Sequence, residues 1–178
     1  MIEFHDPTGL SARAVDSYNL AFDMAASAED TPTIGLLANG FADSERFLSL
    51  IGDAIKVRYP TVTLKFWNKG NASIPAPEDM LQEIRRSCHA VVAAYGHWGS
   101  CTTGTVRDGV NLARLGIPVV ALVTADFWPQ GDFVAKSLGM PDVPRVQLPH
   151  PLAGTGVENL NAVAEQIIPS LIQGWLCD

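Results

Sequence analysis

The sequence is poor in charge, in basic residues and in long apolar runs, and each shortage excludes a class of protein. Charged residues make up 17% of the 178 residues, below the usual quarter of a soluble domain. So few charged residues indicate that part of the surface is buried against another subunit, so we expect a homo-oligomer, with a dimer favoured. Acidic residues outnumber basic ones by 19 to 12, which argues against a nucleic-acid partner. The longest apolar stretches, such as residues 117–124, are too short to cross a bilayer, so we expect no membrane partner.

Cysteine is also scarce. The three cysteines, Cys88, Cys101 and Cys177, form no CxxC pair, which argues against a disulfide framework and against a tetrahedral zinc site. Residues 1–7 lack a basic stretch followed by an apolar one, so we expect no secretory signal and a cytoplasmic protein with free thiols. Neither a Walker-type phosphate loop nor a GxGxxG motif follows a predicted strand, so we expect no cofactor and no metal.

Short apolar runs alternate with amphipathic segments from residue 33 onward, and this pattern predicts an α/β fold. The predicted strands are residues 33–38, 61–67, 90–95, 117–124 and 145–148. Such alternation produces a parallel sheet with helices on both faces. We therefore predict one three-layer, doubly wound domain over residues 33–178, with the flavodoxin-like strand order 2-1-3-4-5 favoured. The polar–apolar alternation of residues 61–67 predicts a strand near the sheet edge.

Residues 1–32 do not follow this alternation and are expected to form an N-terminal extension. Four of its apolar residues predict a helix that packs on the domain or on a neighbouring subunit, namely Val15, Tyr18, Phe22 and Ala25. Within the domain, Asp43 is expected to cap the first helix. Pro169 is expected to kink the last helix or end it early.

Ligands of open α/β sheets bind beyond the carboxyl ends of the strands. This rule selects the loops at residues 39–40, 96–105, 124–128 and 150–156, with the Lys69 loop leaning in from the side. The loop at 96–105 is rich in Gly, Ser and Thr, and the spacing of Thr105 and Asp108 indicates a helix start. Free N–H groups there favour an anion.

Cys101 lies close to these N–H groups, which favour a thiolate, and a thiolate is a better nucleophile than a thiol. The structural alternative is a buried cysteine that fills space. His97 and His150 are the candidate acid–base groups, although each has a structural alternative, a solvent-facing or backbone-bonded imidazole. The candidate substrate-binding residues are Asn39, Lys69, Trp98, Ser100, Thr102, Thr103, Arg107 and Thr124. Surface charge, turn formation and core packing are the ordinary alternatives for these residues.

At this loop the sequence resembles a known family. Gly99-Ser100-Cys101-Thr102, preceded by a strand and followed by a helix and residues 116–120, resembles the UGSC family, which is named for a selenocysteine-or-cysteine, Gly, Ser, Cys motif. The resemblance extends to residues 6–9, 36–40, 69–73 and 149–151. The family is distantly similar to the selenoprotein B component of glycine reductase. Trp98 occupies the family's first redox position, and an indole cannot form a disulfide with Cys101, so the resemblance implies a site with one cysteine.

These observations lead to three functional hypotheses. The first is an enzyme that uses Cys101 as a nucleophile on a small carboxylate or carbonyl substrate, by carbon–heteroatom cleavage, hydrolysis or acyl or thio transfer, as in a biosynthetic tailoring step. The second is a cysteine acid–base lyase, decarboxylase or isomerase, since the Ser-Cys-Thr turn also resembles the cysteine loops of aspartate/glutamate racemases. The third is a non-catalytic protein that binds a small acid or an active partner.

Overall fold

The computed structural model describes residues 14–27 and 31–176. Five strands alternate with five helices, in the order β1 (Thr33–Ala38), α1 (Ser44–Arg58), β2 (Thr63–Asn68), α2 (Glu78–Ser87), β3 (Ala90–Gly96), α3 (Gly99–Arg114), β4 (Val119–Thr124), α4 (Trp128–Ser137), β5 (Arg145–Leu148) and α5 (Val157–Leu176). A short 3-10 turn, Ala125–Phe127, joins β4 to α4. The predicted alternation is confirmed.

The strands form one parallel sheet in the order β2-β1-β3-β4-β5. This is the flavodoxin-like order that the sequence favours. β3 and β4 lie inside the sheet and are buried along their whole length, whereas the edge strand β2 is mostly exposed or half-buried. The register between β3 and β4 shifts between Ala93 and Gly96, just before the loop that carries Cys101.

Helices cover both faces of the sheet and complete the three layers. α1 and α5 pack on one face, over a core that includes Phe47, Ile51 and Trp175. α2, α3 and α4 pack on the other face, over a core that includes Leu81, Val110 and Val134. The apolar spacing of each helix faces the sheet, and the burial of these side chains is the main stabilising contribution.

Two helix boundaries differ from expectation. Asp43 occupies the N-cap of α1 but makes no side-chain cap hydrogen bond, since its backbone is left-handed (φ 62°). Its carboxylate instead accepts the N–H of Gly154 at 3.0 Å. Pro169 does not end α5, which continues to Leu176. Tertiary burial of Leu171 and Trp175 offsets the backbone hydrogen bond that proline cannot donate.

The N-terminal segment forms no helix over residues 14–27, contrary to the sequence pattern. It packs on the domain without regular secondary structure and ends in a turn at residues 24–27, with Tyr18, Phe22 and Met24 buried. The Phe22 N–H donates to the Trp175 carbonyl at 2.7 Å, and the Tyr18 hydroxyl accepts the N–H of Val119 at 3.1 Å. Tyr18 and Phe22 are four residues apart, but they contact the domain at separate places and do not form one face of a helix. The predictions for residues 1–13 and for Cys177 lie outside the described residues.

Helices that combine the length and the apolarity needed to cross a membrane do not occur in the described ranges.

Candidate active site

Helix α3 begins at Gly99, six residues before the boundary expected from Thr105 and Asp108. The helix starts early because the side chain of Cys101, at position N3, accepts the N–H of the N-cap residue Trp98. Cys101 Sγ accepts the Trp98 N–H at 2.9 Å and the His97 N–H at 3.3 Å, and the thiol lies 3.2 Å from the Trp98 carbonyl. Two backbone donors therefore meet at the sulfur, at the positive end of a 16-residue helix.

Cys101 is buried, with only 1% of the residue exposed. Because Cys101 is the third residue of α3, its side chain turns back beneath the N-cap instead of facing solvent. Trp98 is the exposed residue here, at 54%.

His97 is buried and is held by the opposite loop. Its Nε2 accepts the N–H groups of Leu152 and Ala153, at 3.1 and 3.2 Å. Burial lowers the pKa of His97, and the neighbouring His150 imidazole lowers it further. The proton of the neutral ring therefore lies on Nδ1, which is buried and makes no hydrogen bond with any described residue.

His150 lies beside His97, with ring centroids 4.5 Å apart. Its Nδ1 pairs with the Thr124 hydroxyl at 3.1 Å. Its Nε2 lies 3.8 Å from the carboxylate of Asp126, which is exposed. Of the two imidazoles, His150 keeps a ring nitrogen towards the surface.

Aromatic rings surround the two histidines. Phe41 stacks on His97 with centroids 5.4 Å apart, and Phe127 lies 5.7 Å from His150. The Trp98 ring meets His97, Phe127 and His150 edge-on, with centroids 5.4 to 6.0 Å apart. The three loops after β1, β3 and β4 and the segment after β5 thus converge on one aromatic and imidazole cluster.

Lys69 does not reach this cluster. Its ammonium is fully buried and pairs with Asp108 Oδ2 at 2.5 Å and with the Ile74 carbonyl at 2.6 Å. The other Asp108 oxygen accepts the Ala76 N–H at 2.8 Å. Burial raises the pKa of Asp108, while Lys69 opposes that rise. This buried ion pair ties residues 69–76 to α3 and occupies the ammonium that the sequence predicted as a substrate ligand.

Asn39 is also engaged within the fold. Its amide donates to the Tyr95 carbonyl at 2.8 Å and to the Thr105 hydroxyl at 2.9 Å, and its oxygen accepts the Phe41 N–H at 2.9 Å. The first two bonds join the loop after β1 to strand β3 and helix α3, and the third lies within that loop. Asn39 therefore holds Phe41 in place, and the predicted turn role fits better than a substrate contact.

The remaining candidates lie along the first two turns of α3. Ser100 is exposed. The Thr103 hydroxyl donates to the Gly99 carbonyl at 2.8 Å and accepts from Gln130 at 3.3 Å. The Thr102 hydroxyl and the Arg107 Nε are buried and find no hydrogen-bond partner among the described residues. Gly96 permits the close packing of Thr102, because a Cβ there would lie 2.5 Å from Oγ1.

The structure thus brings Cys101, His97, His150, Trp98 and Thr124 together. The sequence analysis did not predict the contributions of four residues. Phe41, Asp126 and Phe127 surround the two histidines, and Asp108 pairs with Lys69. Three of them lie in or next to loops that the strand-end rule selects, and an aromatic residue directly after Asn39-Gly40 was an available signal. Asp108 carried no such signal, because its partner lies 39 residues away.

Within residues 14–27 and 31–176, no group of three or more His, Cys, Asp or Glu side chains is arranged to hold a metal ion.

Comparison with known proteins gives a family and a fold likeness. The model of the UGSC family matches residues 3–177. No curated protein matches the chain. Among solved structures, the flavodoxin-like domain of a Synechococcus sp. protein is 11% identical, with a TM-score of 0.39, over 79% of this chain and 99% of that one.

Proposed function

This chain belongs to the UGSC family, and on that premise we propose that it is an enzyme that uses Cys101 as a nucleophile on a small carboxylate or carbonyl substrate. The reactions in this class are hydrolysis, acyl or thio transfer and carbon–heteroatom cleavage. The assignment of Trp98 to the family's first redox position makes it a one-cysteine site.

The observation that carries the proposal is the pair of N–H groups on Cys101 Sγ, from His97 and Trp98 at 3.3 and 2.9 Å. Hydrogen bonds and the positive end of a helix both stabilise a thiolate relative to a thiol. Such bonds to a charged group are worth about 1.5–3 kcal/mol each.

In the proposed reaction, the Cys101 thiolate adds to a carbonyl carbon. A C–S bond forms and the carbonyl π electrons move to oxygen. When the C–O π bond re-forms, the leaving group departs with the electrons of its bond to carbon and takes a proton from an acid. Water then cleaves the thioester and returns the thiolate.

His150 is the proton carrier in this scheme. His97 is unsuited to it, because protonating Nε2 would aim an N–H at the N–H groups of Leu152 and Ala153. His150 has Nε2 towards the exposed Asp126 carboxylate and Nδ1 on Thr124. Either nitrogen can carry the mobile proton while the ring stays in place.

We propose that the Trp98 ring moves to give a substrate access to the sulfur. Cys101 is 1% exposed and Trp98 is 54% exposed, and the indole packs edge-on against His97, Phe127 and His150. Because Trp98 is the most exposed of these four rings, its side chain can rotate with the least loss of packing.

Alkylation by iodoacetamide tests the proposal, with Cys88 as the internal control. Both thiols are buried, and burial raises the pKa of Cys88. In a Cys177→Ser background, mass spectrometry at neutral pH should show Cys101 reacting at least tenfold faster than Cys88. Equal rates would remove the support for an activated thiolate. Cys101→Ser should abolish turnover of a substrate, and Cys88→Ala should leave it largely intact.

One observation favours a second candidate, a non-catalytic protein that binds a small acid. The sulfur of Cys101 accepts the N–H of the N-cap residue of α3, which is a structural role in itself. In that case Cys101→Ser would retain most of the ligand affinity and no covalent intermediate would form with any substrate.

The assembly and location are proposed on weaker grounds. We propose a homodimer because charged residues are few, and light scattering at several concentrations tests it. We propose a cytoplasmic location because free cysteines fit a reducing compartment.

A further inference from the structure

The outer edge of β2 is open for pairing. β2 is the first strand of the sheet, and among the described strands it pairs with β1 alone. The N–H groups of Thr63 and Lys69 donate to the carbonyls of residues 32 and 38, so the odd-numbered residues bond to β1. Because backbone directions alternate along a strand, the N–H and C=O groups of the even-numbered residues 64–68 point outward. Such a row of donors and acceptors is a template for another strand.

The side chains of this edge are apolar on both faces of the sheet. Leu64 and Phe66 lie on the α1 face, next to Gly52. Trp67 lies on the opposite face, next to Gly35. Phe66 is 52% exposed, and Trp67 is half-buried. Proteins usually keep free edges short or charged, as at β5, which has four residues. The six residues of β2 are therefore expected to pair with a further strand.

The helices that precede and follow β2 each carry opposite charges at their two ends. Both α1 and α2 have acidic residues in the first turn and basic residues in the last. These residues are Glu45, Lys56 and Arg58 in α1, and Glu78, Asp79, Arg85 and Arg86 in α2. At the start of α1, Asp43 and Arg46 pair with each other, which leaves the charge of Glu45.

This distribution of charge fits a second copy of the same chain. If two copies pair antiparallel along β2, the acidic end of each helix lies on the side of the basic end of the same helix in the other copy. The two helix dipoles also oppose each other. A parallel arrangement would place like charges together. The edge is thus self-complementary about a two-fold axis, as an interface between identical copies must be.

Lys65 decides the register of such a pairing. Lys65 and Phe66 are the two central residues of β2. With Lys65 on the axis, the two ammonium groups would face each other, which is unfavourable. With Phe66 on the axis, its outward N–H and C=O groups exchange two hydrogen bonds with those of the second Phe66. Lys65 then lies opposite Trp67 of the second copy, where an ammonium can contact the indole ring.

We propose that two copies of this chain pair antiparallel along β2, with Phe66 on the two-fold axis, and so join their sheets into one continuous sheet. The inference rests on the homodimer proposed above. It does not rest on the chemistry of Cys101, which lies on α3 and not on this edge.

Sedimentation equilibrium of the full chain tests the interface. The parent should show a concentration-dependent dimer. Phe66→Lys places two ammonium groups on the axis and should raise the dimer Kd about tenfold or more. Phe133→Lys is the matched control, because Phe133 is 66% exposed on α4, and it should leave the Kd unchanged. Both side chains are largely exposed, so both variants should fold, which circular dichroism checks.

Disulfide trapping tests the register and does not depend on the lysine variants. In a hydrogen-bonded antiparallel pair the two Cα atoms lie about 5.5 Å apart, a separation that a disulfide spans. In a Cys177→Ser background, Phe66→Cys should therefore form a covalent dimer on mild oxidation, visible on a non-reducing gel. Phe133→Cys, with the same new thiol away from the edge, should stay monomeric on that gel.

The interface is refuted if Phe66→Lys dimerises as tightly as the parent, or if Phe66→Cys gives no more covalent dimer than Phe133→Cys. A dimer that persists in Phe66→Lys would refute this interface and leave the proposed homodimer standing. A parent that stays monomeric up to about 1 mM would refute both, as would be found if a strand of another protein covers the edge. Neither result bears on the alkylation of Cys101.

Discussion

The neutral, buried imidazole of His97 should make the fold sensitive to mild acid. Its Nε2 accepts two backbone N–H groups, from Leu152 and Ala153, and only 3% of the residue is exposed. Burial and the nearby His150 both lower its pKa. A proton on Nε2 would replace an acceptor by a donor that faces two donors, so the native state excludes it.

The sign and size of this pH effect on the unfolding free energy follow from the different protonation of His97 in the native and unfolded states. The unfolded chain binds a proton at His97 below its ordinary pKa of about 6.5, whereas the native state does not. The stabilisation is therefore present above pH 6.5 and is lost as the pH falls towards the lowered native pKa. Because the lowered pKa keeps the native imidazole neutral, the loss approaches the limit RT ln(1 + 10^(6.5−pH)), which is about 1.4 kcal/mol at pH 5.5 and about 0.1 kcal/mol at pH 7.5.

His97→Gln isolates this contribution. The Gln side-chain oxygen reaches the position of Nε2, accepts the same two N–H groups and does not titrate. The variant loses ring contacts with Phe41 and His150, at about 0.5–1.5 kcal/mol each, but this loss is independent of pH. His97→Asn is the control, because its shorter side chain leaves the two N–H groups without their acceptor.

Urea denaturation followed by tryptophan fluorescence at pH 7.5 and 5.5 measures the effect. The drop in unfolding free energy between the two pH values should be smaller in His97→Gln than in the parent, by up to about 1.3 kcal/mol. His97→Asn should be less stable than His97→Gln at both pH values. The reasoning is refuted if the parent and His97→Gln show the same pH dependence.

Three further substitutions test the architecture around the site. Gly104→Ala should cost about 1–3 kcal/mol of unfolding free energy, because a Cβ there would overlap the Ala72 carbonyl; chemical denaturation that shows no loss would contradict the packing of that loop. Thr102→Val should be up to about 1 kcal/mol more stable than the parent, because it removes a buried hydroxyl without a described partner; a clear loss of stability would show that the hydroxyl is paired. Trp98→Ala should increase the alkylation rate of Cys101 at least severalfold, and an unchanged rate would show that the indole does not control access.

Most of the fold was predictable because its signals are local. The fully apolar runs that became β3 and β4 predicted central strands, and the alternating pattern around Lys65 and Trp67 predicted an edge strand. The extension was not predictable in the same way. Tyr18 and Phe22 stand four residues apart, as in a helix, yet they fill separate sites on the domain.

The site was predictable only in outline. The strand-end rule predicted one site with His97, Trp98 and His150, whose rings lie 4.5 to 6.0 Å apart, because parallel strands bring their carboxyl ends to one edge. The pairing of Lys69 with Asp108 depends on how the loop at residues 69–76 packs against α3. The spacing of residues in the sequence does not predict that packing. The burial of Cys101 depends on the helix beginning at Gly99, which sets whether the side chain points outward or back beneath the N-cap.

The most direct test of the central claim compares two alkylating agents at Cys101. Iodoacetate and iodoacetamide form the same C–S bond and release iodide, but only iodoacetate carries a carboxylate. Mass spectrometry should give a higher iodoacetate-to-iodoacetamide rate ratio at Cys101 than at Cys88, because an activated sulfur in a small-acid site selects the acidic reagent. A ratio at Cys101 equal to or below that at Cys88 would contradict the account.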